Sequence, residues 1–174
     1  RVKEVDDSKP GTSFQDPIAI SFVSSVGDGF PARSESGNLH TGIDIRANIG
    51  TELVASRDGT VTLKTQSCGK GNCKGGYGGF GQYVILEFDD VDEDSQAAKA
   101  LYAHLNKFAS GKKAGDSYSV TKGQIIGYVG ETGNTTGPHL HYEIGTENYL
   151  GSGYPSSTDR VGRLTKTYTN SNSK

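Results

Sequence analysis

Short alternations of apolar and polar residues recur along the middle of the chain, each bounded by turn-forming residues. Alternation with a period of two is typical of strands that bury one face. The pattern predicts strands over residues 18–24, 39–45, 52–55, 60–65, 82–88, 100–105, 124–129 and 139–144. Only residues 95–100, which contain three alanines, resemble the start of a helix. We therefore expect a mainly β, antiparallel domain with little helix.

Two glycine-containing segments refine this prediction. Asp58-Gly59 separates the strands predicted at 52–55 and 60–65, and Asp-Gly is a typical two-residue hairpin turn, so these strands should pair with each other. The glycine-rich segment 75–81 is interpreted as a flexible loop. It is not interpreted as a phosphate loop, because it lacks the Lys-Ser/Thr ending and a following helix.

Composition agrees with the β prediction. The chain has 174 residues, which suits one domain, and 25 of them are glycine, a residue that weakens helix interiors. Residues 1–14 are polar and charged and are interpreted as an arm or linker. Residues 157–174 contain few apolar side chains and are interpreted as a polar tail, which leaves 15–156 as the folded domain.

Charge and hydropathy exclude several classes of function. Lys and Arg number 18 and Asp and Glu number 20, so the formal net charge is −2 and nothing indicates nucleic acid as the main partner. No apolar run approaches the roughly 20 residues of a membrane-spanning helix. The sequence starts at Arg1 without a signal peptide, so we expect a processed or trimmed form of a longer chain.

Cys68 and Cys73 are separated by four residues in a segment rich in Gly and Lys. We expect a disulfide between them, which would indicate an oxidising compartment. Free thiols and half of a metal site are the alternatives, although a cysteine zinc site usually needs further Cys or His partners. The acidic run at 89–94 is interpreted as a solvated turn, with calcium binding as its alternative.

The four histidines carry the chemical signal. His40 and Asp44 are four residues apart in LHTGIDI, and His139 and His141 are two apart in GPHLHYE, so each pair shares a strand face. Imidazole nitrogen and carboxylate oxygen both suit zinc, and a catalytic zinc needs three protein ligands and a water. His40, Asp44 and one histidine of the second pair would supply the ligands.

The other histidine of that pair would then lie beside the water as a base, and His104 in YAHL remains as a further polar group. Four unrelated structural histidines are the alternative interpretation. That alternative is disfavoured because all four histidines occur in strand-like segments beside glycine-rich turns.

With these motifs together, the sequence resembles the lysostaphin/LytM-type zinc metallopeptidases, which cut the peptide part of bacterial peptidoglycan. The segments that carry the resemblance are LHTGIDIRANIGTELVASRDGTV, ALYAHL and VTKGQIIGYVGETGNTTGPHLHYEI. The resemblance runs from about Phe30 to Ile144, and the insert at 66–81 and the acidic loop depart from it. It implies an antiparallel sheet with an open substrate groove.

The resemblance also assigns roles by position. His40, Asp44 and His141 match the three zinc ligands, His139 matches the general base, and His104 matches a second catalytic histidine that orients the water or stabilises the oxyanion. All five positions are filled in this sequence. We therefore expect a zinc endopeptidase rather than a non-catalytic, wall-binding or amidase-regulating relative; a structural zinc domain is a third alternative.

The remaining expectations concern substrate and location. Some members of the family cut glycine bridges and others cut the D-alanyl cross-link, and TGPHLHYEI is closer to the cross-link group. The resemblance implies peptidoglycan as the partner. It also implies an extracytoplasmic protein, either secreted, associated with the envelope or part of a phage.

Several neighbours of the motifs have two interpretations each. The polar residues Thr132, Asn134, Thr135 and Thr136 either line the groove or are ordinary turn residues. Glu143 is interpreted as an exposed strand charge, with a hydrogen bond to a histidine ring as the alternative. Tyr102 is interpreted as a packing residue, with contact to the substrate as the alternative.

Overall fold

The computed structural model describes residues 14–26, 42–69, 73–91 and 97–145. His40, residues 1–13 of the predicted arm and the polar tail lie outside these residues, whereas Phe14, the last residue of the predicted arm, packs against the core. The described chain is almost entirely antiparallel sheet, as expected, with a single 3-10 turn at Ile20–Phe22. None of its helical segments is long and apolar enough to cross a membrane.

Nine strands follow one another along the described chain. They are β1 (Ser25–Val26), β2 (Ile43–Arg46), β3 (Glu52–Val54), β4 (Gly59–Ser67), β5 (Tyr77–Phe88), β6 (Lys99–Phe108), β7 (Ser117–Val120), β8 (Ile125–Val129) and β9 (Leu140–Gly145).

The strand order is β1-β2-β9-β6-β5-β4-β7, and β8 pairs with both β3 and β6. Strand β6 therefore has two partners on one side. It pairs with β9 as far as Ala103, opposite His141, and then with β8 from Leu105, opposite Val129. His104 lies at the point where β6 passes from one partner to the other, and its φ of 67° is the only positive one among the described non-glycine residues.

The core lies between the long strands and the β3–β8 pair. Alternate residues of the strands point into it, and the fully buried aliphatic residues include Ile45, Leu53, Val61, Leu63, Val84, Leu86, Leu105, Ile126 and Leu140. Burying each such side chain contributes roughly 1.5–3 kcal/mol relative to leaving it exposed. Tyr102 is also fully buried, which confirms its interpretation as a packing residue. The pairing of β2, β9 and β6 against this core fixes the strands that carry the candidate site.

The predicted Asp58-Gly59 hairpin is wrong. Strand β3 pairs with β8, whereas β4 pairs with β5 and β7. Two hydrogen bonds to distant residues hold the segment between β3 and β4. The N–H of the buried Ser56 donates to the Tyr102 hydroxyl at 2.9 Å. The Asp58 carboxylate accepts from the Lys122 N–H at 2.7 Å. These tertiary hydrogen bonds override the local turn preference.

Three further local predictions are corrected. The strand expected at 18–24 is absent: its middle, Ile20–Phe22, is the 3-10 turn, closed by the Phe22 N–H on the Ala19 carbonyl, and only Ser25–Val26 pairs as a strand. The helix expected at 95–100 is absent over residues 97–100, because β6 begins at Lys99 and Ala100 pairs between Leu86 and Ile144. Within the loop expected at 75–81, residues from Tyr77 onward belong to β5.

Cys68 and Cys73 form the predicted disulfide, with their Cα atoms 5.5 Å apart. Strand β4 ends at Ser67 and β5 begins at Tyr77, so the bond closes the tip of the β4–β5 hairpin. The Lys74 backbone, directly after the bond, pairs with Gly133, and the Lys74 ammonium lies 3.1 Å from the Glu131 carboxylate. The disulfide thus closes a hairpin whose tip contacts the segment 131–133.

Replacing both cysteines by serine is expected to lower the free energy of unfolding by about 2 kcal/mol, because a six-residue ring restricts the unfolded chain only modestly. Urea unfolding of the variant and of the wild type measures this difference. The wild type in excess reductant is the control and should match the variant. Two reactive thiols in unreduced, denatured wild type from an oxidising source would contradict the disulfide.

Candidate active site

Three of the predicted site histidines and Asp44 converge at one place. Asp44 on β2 is directly opposite His141 on β9 in the sheet register, and His141 is in turn opposite Ala103 on β6, next to His104. His139 precedes β9 and forms an isolated bridge with Gly130. Leu140 between the two histidines is fully buried in the core, as the two-residue period requires.

These side chains line one open groove with a volume of about 380 Å³. The other residues that line the groove are Gln66, Gly79, Phe80, Asn134, Thr135 and Thr136. The last three residues thus line the groove, which was one of their two interpretations. Thr132 is not among the lining residues and contacts the site differently, through its backbone carbonyl.

His141 is held from both sides by carboxylates. Its Nδ1 lies 2.9 Å from Asp44 Oδ1 and its Nε2 lies 3.0 Å from Glu143 Oε1. Burial lowers the pKa of His141, but the hydrogen bonds to the two carboxylates outweigh burial and raise it to about 9. Phe80 stacks on the same ring, with centroids 5.7 Å apart. The ring is therefore fixed in orientation, with Nδ1 toward Asp44.

Glu143 is not the exposed strand charge that its sequence position suggested. Its side chain has no exposed surface, and its carboxylate lies against His141 Nε2. The burial is explained by the close approach of Gly42, the residue before β2, to β9. A Cβ atom on Gly42 would collide with both the Tyr142 backbone and the Glu143 side chain, so there is no space for solvent at this point. Gly42 was therefore the one feature of the sequence that could have indicated a buried Glu143, because only a glycine permits this close approach.

His139 lies on the other side of Asp44. Its Nε2 is 3.6 Å from Asp44 Oδ1, and its Nδ1 is 2.8 Å from the Gly137 carbonyl oxygen. A carbonyl oxygen only accepts hydrogen bonds, so Nδ1 carries the proton and Nε2 is the nitrogen with a free lone pair in the neutral ring. That lone pair is on the side of Asp44.

His104 packs against both other histidines, with ring centroids 4.8 Å from His139 and 6.1 Å from His141. Its Nδ1 lies 2.8 Å from the Thr132 carbonyl oxygen, so Nδ1 again carries the proton. Burial lowers the pKa of His104 to about 4, which keeps the ring neutral near pH 7. Because the ring is neutral and its one proton is on Nδ1, the Nε2 atom of His104 is a hydrogen-bond acceptor.

Asp44 and His141 supply two of the three predicted metal ligands, and His40 lies outside the described residues. Accordingly, no group of three His, Cys, Asp or Glu side chains within 14–26, 42–69, 73–91 and 97–145 is arranged to hold a metal ion. The donors that are described suit zinc, since one imidazole nitrogen and one carboxylate oxygen face each other while the second ring nitrogen is occupied by Glu143.

An antiparallel sheet that gathers three histidines and a carboxylate in one open groove has the features of a hydrolase of the metal-dependent class. The comparison with protein families agrees with this class. A model described as Peptidase family M23 matches residues 38–151, about two thirds of the sequence, and the chain belongs to this family.

Curated relatives share the matched region. The chain is 40% identical over 105 residues to the DD-carboxypeptidase/endopeptidase Mpg of Neisseria meningitidis, which covers 60% of this chain and 20% of that protein. It is 37% identical over 108 residues to lysostaphin of Staphylococcus simulans, covering 62% of this chain and 18% of that protein. The chain thus spans about a fifth of the length of these relatives.

Solved structures show the same fold. The catalytic domain of lysostaphin from Staphylococcus simulans matches 84% of this chain and 92% of that domain, with a TM-score of 0.53 and 26% identity. A zinc-containing peptidase from Vibrio cholerae matches 87% of this chain and 39% of its own, with a TM-score of 0.59 and 24% identity. The predicted family and fold are both confirmed.

Proposed function

We propose that this chain is a zinc-dependent endopeptidase that hydrolyses peptide cross-links or bridges of bacterial peptidoglycan. The observation that carries the proposal is the convergence of Asp44, His104, His139 and His141 in one groove. Membership of a peptidase family supports the hydrolysis of peptide bonds. The names of the relatives, which include both a peptidoglycan DD-endopeptidase and a glycyl-glycine endopeptidase, support peptidoglycan as the substrate class.

In this proposal Asp44 and His141 hold the metal together with His40. When bound, zinc lowers the pKa of water and polarises the scissile carbonyl. The His141 ring would bind through Nδ1, because Nε2 is engaged by Glu143. The two carboxylates favour the protonated ring, so a metal at Nδ1 must displace a proton, and uptake of zinc should weaken as the pH falls.

His139 is proposed as the general base. Its Nε2 has the free lone pair and lies on the side of Asp44, where the water that attacks the peptide bond would be positioned. The ring takes the proton from water as the carbonyl is attacked and returns it to the leaving amine as the peptide bond breaks. The Gly137 carbonyl would stabilise the cationic ring between these two transfers, since Nδ1 stays hydrogen-bonded to it throughout.

His104 is proposed to orient the water. Of the two roles left open by the sequence, accepting a hydrogen from water agrees better with the geometry than donating to an oxyanion. The neutral ring has its single N–H on the Thr132 carbonyl, so Nε2 accepts. With His104 and His139 packed together, the two acceptors can each receive one hydrogen of the same water.

The location proposed from the sequence is extracytoplasmic, and the disulfide at the hairpin tip supports it because disulfides persist in oxidising compartments.

The activity is tested by the loss of turbidity of purified sacculi with and without a chelator. Clearing that stops with chelator and returns with added zinc is expected. Binding to sacculi without clearing would instead indicate the non-catalytic module.

Replacing Glu143 by alanine is expected to weaken zinc binding by about 10- to 100-fold, because His141 Nε2 loses the acceptor that orients the ring. Glu143→Gln keeps a carbonyl oxygen as an acceptor and should lose less. Competition with a chromophoric chelator measures both affinities, independently of activity. Unchanged affinity in Glu143→Ala would show that the buried carboxylate serves only packing.

A further inference from the structure

His104 has an unusual backbone for a residue within a strand. Its φ of 67° lies in the left-handed region, where non-glycine residues are strained, and it occurs where β6 changes from β9 to β8. The regular pleat therefore does not determine where this ring points. The ring direction must be fixed by specific contacts, and the hydrogen bond from Nδ1 to the Thr132 carbonyl is the polar one at 2.8 Å.

The Thr132 side chain holds the segment that carries this carbonyl against the paired strands β5 and β6. Its hydroxyl donates to the Leu105 carbonyl at 2.8 Å, which belongs to the residue after His104, and accepts from the Gln82 N–H on β5 at 3.0 Å. One hydroxyl thus joins the segment carrying the carbonyl to β5 and to β6. A valine at this position would keep the shape and lose both hydrogen bonds.

The backbone around Thr132 is packed to suit this clamp. Gly81, with a φ of 66°, lies so close that a Cβ atom there would collide with both the Thr132 carbonyl oxygen and its hydroxyl. Beyond it, Gly133 pairs with the Lys74 backbone through two hydrogen bonds of 2.9 and 3.2 Å. The disulfide-closed β4–β5 hairpin therefore contacts the segment at two places, at Lys74 beside the hairpin tip and at Gln82 on β5.

From these contacts we propose that Thr132 is a positioning residue for His104, setting the tautomer with the proton on Nδ1 and so presenting Nε2 as an acceptor. The proposal rests on the proposed function, in which His104 orients the water. Thr132 does not line the groove, and it acts on the reaction through the direction and tautomer of the His104 ring.

The test uses Thr132→Val and Thr132→Ser in the full chain. Nitrogen-15 NMR of the histidine side chains reports the tautomer directly, and kinetics on a soluble cross-linked peptidoglycan fragment report kcat and KM. We expect the Nδ1–H tautomer in the wild type and in Thr132→Ser. In Thr132→Val we expect a mixed tautomer and a fall in kcat on the order of tenfold, with KM nearly unchanged, from the loss of two neutral hydrogen bonds.

Thr62→Val is the matched control, because Thr62 is also a strand threonine, with its hydroxyl 3.4 Å from that of Ser117 at the surface. It should leave the His104 signals and kcat unchanged. An Nε2–H tautomer of His104 in the wild type overturns the proposal, even if Thr132→Val fails to fold. So does a pure Nδ1–H tautomer with normal kcat in Thr132→Val. A wild type that is inactive on the fragment, yet shows the tautomer change, would contradict the proposed function and leave the positioning role intact.

Discussion

His139→Ala is expected to lose about 10²–10⁴ in turnover while keeping its zinc and its fold. The His139 ring is the group whose free Nε2 lone pair lies beside Asp44, and its Nδ1 is fixed on the Gly137 carbonyl. Removing the ring removes the proton acceptor, whereas Asp44 and His141 still face each other at 2.9 Å. Turnover is measured beside zinc content and circular dichroism.

His104→Ala is the companion variant, and we expect a loss of about 10²-fold in turnover, because the attacking water loses the acceptor that orients it. Its zinc content should also be normal. Loss of zinc in His139→Ala with retention in His141→Ala would mean that the two histidines have exchanged roles. Near-normal turnover in His104→Ala would make it a structural histidine.

Replacing Asp44 or His141 by alanine is expected to remove most of the bound zinc and nearly all activity. Each is proposed as one of three protein ligands, and an ion with two protein ligands is released on dialysis. Metal analysis of dialysed protein checks this, with His139→Ala as the control that retains the ion. Wild-type zinc content in His141→Ala would exclude His141 from the ligand set.

The two ligand variants also differ in what they leave behind. His141→Ala removes the ring nitrogen that lies 3.0 Å from the buried Glu143 carboxylate, and the loss of a hydrogen-bond partner by a buried charged group is destabilising. Asp44→Ala removes a half-exposed carboxylate, so its fold should be less affected. Thermal unfolding of both variants therefore separates loss of zinc from loss of structure, and Asp44→Ala is the cleaner test of the ligand assignment.

The sequence was most informative where a side-chain pattern and a strand coincide. Side chains alternate between the two faces of the sheet at His139, Leu140 and His141. The structure places Leu140 in the core and both histidines in the groove. The strand predicted at 82–88 lies within β5. These features follow from the period of two, which is a local property.

The sequence was least informative where distant residues decide. The Asp58-Gly59 turn looks like a hairpin, yet the hydrogen bonds from the Lys122 N–H to Asp58 and from the Ser56 N–H to the Tyr102 hydroxyl direct the strands to other partners. Glu143 looks exposed by alternation with His141, yet the approach of β2 covers it. Thr132 reads as a turn residue, and its contact with His104 exists only because two segments 28 residues apart meet.

The most direct test of the central claim is mass analysis of the fragments that the protein releases from purified peptidoglycan, with His139→Ala as the control. We expect the wild type to release fragments with a new amine and a new carboxyl group within a peptide cross-link or bridge. These fragments should not form in the presence of chelator or with the variant. The masses also identify which bond is cut. Intact peptides and cross-links after digestion by zinc-loaded wild type would contradict it.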